Sequence, residues 1–134
     1  MAIDGGLRGM FRAKLPGHWQ SVESGGTGLG IPDSNYCIKG IEGWVEFKQT
    51  KGWAVRMRPE QIGWIFKRTL EGGRVWVAVR RKEEELWLVP GSSVRVLASE
   101  GLQGLDEAYI WTGGPRLWDW SAILEKLLLP PRIL

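Results

Sequence analysis

A chain of 134 residues, 43% hydrophobic and 25% charged, is long enough to bury a core and too apolar to be disordered. A formal charge of +3 and a pI near 9.2 suit a polyanionic partner but fall well short of a basic tail. The single cysteine, Cys37, excludes an internal disulfide, and no apolar run has the length of a transmembrane helix. The amino terminus lacks the apolar core of a signal peptide, so a cytoplasmic protein without a membrane partner is expected. Nine tryptophans are many for this length, and most are expected to fill the core.

Asp4 is placed to cap a short first helix with Leu7, Met10 and Phe11 as its apolar stripe, stopped by Pro16-Gly17. Arg8, Arg12 and Lys14 lie off that stripe. His18 to Ser24 reads as extended and carries Glu23. The connection that follows, SGGTGLGIPD, fits neither glycine-rich phosphate-binding motif; its glycines, Gly30 among them, suggest a flexible turn at the mouth of a site.

Pro32 holds Ile31 extended, so Asp33 starts or sits in a strand that turns through Gly40-Ile41-Glu42-Gly43 into Trp44 to Gln49. Pro59 opens a helix with Ile62, Ile65, Phe66 and Leu70 on one side and Gln61, Trp64, Lys67 and Arg68 on the other. Val75 to Val79 is a strand, Arg81 to Glu84 a turn, and Glu85 to Val89 a returning strand. A short helix over Ser92 to Ser99, loop over 101–117, and a last helix capped by Asp119 or Ser121 complete the chain. The order predicts one α/β domain, 1–134, with a central mixed sheet flanked by helices.

Residues two apart on a strand share a face, so Glu46 and Lys48 project together while Val45 and Phe47 face a core. A near-buried carboxylate beside an ammonium is costly unless paired or metal-bound. Asp33 brings a second carboxylate to the same neighbourhood, and a divalent cation relieves the repulsion between the two. Each residue also has a plainer reading, because Pro-Asp is common in turns and Glu-x-Lys on solvated strand faces. The lone histidine, His18, reads as structural or exposed, and Cys37 lacks a partner for nucleophilic chemistry.

Gly30-Ile31-Pro32-Asp33 followed by Trp44-Val45-Glu46-Phe47-Lys48 resembles the signature of the PD-(D/E)xK nuclease superfamily. The helix with Arg58, Gln61 and Trp64 is similar to the one that follows it in Holliday-junction-resolvase-like members, archaeal and phage, and in VRR-NUC domains. Glu23 resembles the extra acid ahead of the PD motif in that branch. The resemblance spans about residues 18–89, leaving about 90–134 as a helical and loop extension, and implies a restriction-endonuclease-like core of order αβββαβ.

What it implies for function is a Mg2+-dependent DNA endonuclease, with Mn2+ able to substitute and no organic cofactor. Asp33, Glu46 and the Phe47 backbone carbonyl would hold the ion. Glu23 would hold a second ion or orient a water, Lys48 would hold or deprotonate the attacking water, and Gln61 would position the water or phosphate. Arg58, Arg56, Lys51 and Lys67 flank the site as contacts to DNA phosphates, with Lys39 and Arg80 as weaker ones; solvated surface charge is the equal alternative. The expected substrate is branched or structured DNA, cut symmetrically by a homodimer with the tryptophan-rich carboxy-terminal part as interface. The alternatives are a VRR-NUC-like flap, single-strand or repair nuclease, and a non-catalytic DNA- or protein-binding module. A phage origin would place the protein in the host cytoplasm.

Overall fold

In the computed structural model, which describes residues 4–22 and 29–131, the first apolar stripe is helix α1 (Leu7–Lys14). Asp4 does support its start, accepting from the N–H of Gly6 (2.9 Å) and of Arg8 (3.2 Å), although Gly6 occupies the cap position itself. Strands β1 (His18–Ser21), β2 (Ser34–Ile38) and β3 (Ile41–Thr50) follow. Helix α2 (Pro59–Leu70) then leads to β4 (Val75–Arg81) and β5 (Glu85–Pro90). After a 3-10 turn come α3 (Val94–Glu100), a second 3-10 turn, β6 (Tyr109–Trp111) and α4 (Trp120–Leu127).

Among the described residues six strands form one mixed sheet in the order β1-β2-β3-β4-β5-β6. All neighbours are antiparallel except β3 and β4, which run parallel and are joined through α2. A parallel pair inside a sheet needs cover on both sides, and β4 is buried along nearly its whole length. On one face Phe11 of α1 and Ile123 and Leu127 of α4 pack with Val45, Phe47, Ala78 and Leu88. On the other, Ile65 of α2 and Val94 and Leu97 of α3 pack with Val75, Val77, Val79 and Val89. Among the described residues no helix is long and apolar enough to cross a membrane.

Three local expectations need correction. The β2–β3 hairpin turns in two residues, Lys39 (φ 51°) and Gly40 (φ 81°), the positive φ pair that such tight turns favour. Gly43 is therefore not in the turn; it sits in β3 opposite Tyr36. Arg81 belongs to β4 rather than to the following turn, and is buried. Within the expected 101–117 loop lies β6, paired with β5. Of the carboxy-terminal tryptophans, Trp118 is 3% exposed and Trp120 packs against the same core. Their indole N–H groups donate to Glu84 O (2.8 Å) and Pro115 O (3.0 Å).

The Tyr36 ring lies where a Gly43 side chain would be, and the Tyr36 hydroxyl donates to Leu127 O at 2.6 Å. A methyl group at position 43 would overlap that ring. Gly43→Ala is therefore expected to destabilise the fold by about 1–3 kcal/mol, the usual cost of overpacking. Urea denaturation of the purified variant checks this, and an unchanged midpoint would contradict the packing described.

Candidate active site

The β2–β3 register pairs Ser34 with Val45, which brings Asp33, just before β2, opposite Glu46. Two hydrogen bonds lock them there. The Asp33 N–H donates to Glu46 Oε1 (3.1 Å), and the Phe47 N–H donates to Asp33 Oδ2 (3.0 Å). Each acid thus grips the backbone beside the other.

Lys48 follows on the Glu46 side of the strand, with Nζ 3.6 Å from Glu46 Oε2. Gln61, in the first turn of α2, ties the two together. Its Nε2 donates to Glu46 Oε2 (2.9 Å), while Oε1 accepts from Lys48 Nζ (3.0 Å) and from the Arg58 N–H (3.0 Å). This network dictates the amide orientation, since a flipped amide would face two donors with its NH2. Gln61 is consequently buried rather than on the outer side of its helix, whose buried line is Gln61, Ile65 and Thr69. Thr69 satisfies its hydroxyl by donating to Ile65 O (2.8 Å), and Leu70, expected inside, is 51% exposed.

Burial, reinforced by the neighbouring Asp33 charge and opposed by Lys48, pushes the Glu46 carboxyl up to about 7. Burial also raises Asp33, against the Phe47 N–H bond and Lys48. Two largely desolvated acids thus face one ammonium, and burial holds both toward their neutral forms.

Gly30 explains how the acid loop and α2 meet. Its φ is +76°, and a Cβ there would collide with the Glu60 carbonyl in the turn that carries Gln61. The glycine therefore provides a close backbone approach rather than a loose hinge.

These groups line a cleft of about 680 Å3. Arg56 and Arg58 reach it from the loop before α2, and Asp4 and Arg8 from the start of α1. Lys51 lines a separate recess with Gln49, Thr50, Lys82 and Glu83, and Lys67 is exposed on α2 without lining the cleft. Lys39 is in the hairpin turn, and the Arg80 guanidinium is spent on Gly5 O (2.6 Å) and Glu83 O (2.9 Å). His18 is exposed on edge strand β1. Glu23 lies outside the described residues.

Asp4, Arg8 and Gln49 are the cleft residues that sequence reasoning misses; Asp4 and Arg8 come from outside the motif. Their i, i+4 spacing off the α1 stripe is visible in the chain, but where that helix crosses the sheet is a tertiary fact.

The donor set fits Mg2+ or Mn2+. Two carboxylates supply hard oxygens, and Mg2+ characteristically takes one or two carboxylates while keeping several waters. Among the described residues no group of three His, Cys, Asp or Glu side chains is close enough to hold an ion, so such an ion would rest on Asp33 and Glu46 with backbone and water oxygens. No protein-family model, curated protein or solved structure matches this chain.

Proposed function

We infer that the chain is a Mg2+- or Mn2+-dependent DNA endonuclease of the PD-(D/E)xK kind, with a restriction-endonuclease-like core and branched or structured DNA as substrate. The observation that carries this reading is the meeting of Asp33, Glu46 and Lys48, with Gln61 bonded to both Glu46 and Lys48. The strand order around them, with Asp33 entering β2, Glu46 on neighbouring β3 and the glutamine on the helix that follows, supports it.

Asp33, Glu46 and the Phe47 carbonyl would hold the ion, which supplies Lewis acidity toward the scissile phosphate and a water of lowered pKa. Lys48 holds the attacking water and offsets charge on the pentacovalent phosphorus. Gln61 keeps the ammonium aimed, because its carbonyl oxygen accepts from Lys48 while its NH2 is anchored on Glu46. Arg56 and Arg58 on one wall, and Arg8 on the other, bind flanking phosphates. Paired cuts across a junction would call for two copies of the chain related by a two-fold axis.

The test is a substrate panel: supercoiled plasmid, a four-way junction, a flap and a plain duplex, each with Mg2+, with Mn2+ and with EDTA. Cleavage is expected only with a divalent ion, and Asp33→Ala is expected to lower its rate by at least about 100-fold. Full activity of Asp33→Ala, or cleavage undiminished in EDTA, would refute the assignment.

A further inference from the structure

Lys48, Val79, Trp87 and Ile110 are successive partners across β3, β4, β5 and β6. Paired residues project to the same face from strands about 4.8 Å apart, so Trp87 stands about 10 Å from Lys48 on the side that carries Glu46. The loop over residues 51–58 has a different set of side chains on each side. Arg56 and Arg58 line the cleft, whereas Trp53 lines a second groove of about 550 Å3 with Trp87, Leu102, Leu105, Gln103 and Asp106.

Trp53 is 39% exposed, yet it is held firmly. The Arg81 guanidinium lies 3.5 Å from its ring centroid and is itself fixed by Gly52 O (2.8 Å) and Glu85 Oε2 (2.9 Å). Trp87 meets Trp53 edge-on, with centroids 6.2 Å apart, and its own N–H is occupied by Glu85 Oε1 (2.8 Å). A buried arginine, costly to desolvate, thus braces an indole that remains at the surface. That is the arrangement of a stacking platform rather than of core filling.

We propose that the groove lined by Trp53 and Trp87 is a nucleobase-stacking subsite, with Trp53 as its platform, for an unpaired strand of the DNA that enters the cleft. The proposal rests on the nuclease reading for that entry. Every base has a π-face, so one braced, exposed indole takes any base, and Gln103 and Asp106 offer polar contacts to its edge. Lys51 is exposed on the same loop, where its ammonium can meet a backbone phosphate of that strand. The separation of about 10 Å corresponds to about three stacked nucleotides at 3.4 Å rise each. The preferred substrate is accordingly one with single-stranded character beside the cut, a flap or splayed junction rather than continuous duplex.

Fluorescence anisotropy in EDTA, with a labelled single strand and the matching duplex, tests this on wild type, Trp53→Leu, Trp53→Phe and Lys48→Ala. Trp53→Leu is expected to weaken single-strand binding about ten-fold and leave duplex binding unchanged. Trp53→Phe should restore most of the loss, and Lys48→Ala should retain the single-strand preference. Equal losses on both ligands, or no loss on the single strand, would overturn the subsite. So would a change of sedimenting mass on substitution, which would mark the groove as a contact between copies of the chain. Selective binding that survives without any cleavage would sink the nuclease reading alone. Cleavage that survives without selective binding would sink the subsite alone. Should Trp53→Leu fail to fold, photocrosslinking of a 5-iodouracil oligonucleotide to wild type decides: adducts at Trp53 or Trp87 support the subsite, and adducts confined to other residues refute it.

Discussion

Lys48→Ala is expected to lower cleavage by about 10²–10³-fold, the usual loss when one pre-oriented donor to a developing oxyanion is removed. The ammonium is not a free surface charge, since its side chain is 19% exposed and Nζ is bonded to the Gln61 amide. Removing it leaves Glu46 facing Asp33 with less compensating charge, so the carboxyl should be still harder to ionise. Gln61→Ala acts on the same atoms from the other side, by releasing Lys48 Nζ and exposing Glu46 Oε2. Residues that work as a unit give non-additive losses, so the double variant should cleave no more slowly than Lys48→Ala alone. Single-turnover rates on a nicked or branched substrate provide the measurement. Additive losses would mean that Gln61 and Lys48 serve separate steps.

The second large effect is on folding. Glu46 has a folded pKa of about 7 against an ordinary value of 4.5, so between those pH values the folded chain keeps a proton that the unfolded chain has released. Stability of the metal-free protein should therefore be greatest below about pH 4.5 as far as this group is concerned, and decline as pH rises through 7. The loss is on the order of 3–4 kcal/mol, because each tenfold change in proton affinity between the two states is worth about 1.4 kcal/mol. Asp33, raised as well, contributes with the same sign. Urea melts in EDTA across this range should show the slope, and Glu46→Gln should flatten it. The absolute gain from that substitution will be smaller, because a glutamine offers one acceptor where both Asp33 N–H and Gln61 Nε2 arrive. Millimolar Mg2+ should restore stability on the alkaline side of wild type only. A flat wild-type profile would contradict the burial of this carboxylate between two donors.

The parts of the site that can be read from the chain are those set by local geometry. Glu46 and Lys48 share a face because strand periodicity is two, and the glycine and proline signals around them mark one hairpin. Gln61 is reached through the resemblance, and its surroundings differ from expectation for a physical reason. Apolar periodicity centres the helix on Ile62, Ile65, Phe66 and Leu70, whereas the buried line includes two polar residues whose hydrogen bonds permit burial. Arg8 and Asp4 depend on where α1 crosses the sheet, which no nearest-neighbour pattern encodes. Strand β6 is three residues long, too short for alternation to register, and is held in place by its pairing with β5. The carboxy-terminal tryptophans look like a sticky surface in the sequence because hydrophobicity alone does not say which way a ring points.

The tight seat of Gly30 against Glu60 has a practical corollary for anyone grafting this chemistry onto another scaffold. At Gly30 the aspartate loop and the glutamine helix meet backbone to backbone, with no room for a side chain between them. They must therefore be transplanted as one rigid cassette, and random insertions should be tolerated on either flank far better than at that seam.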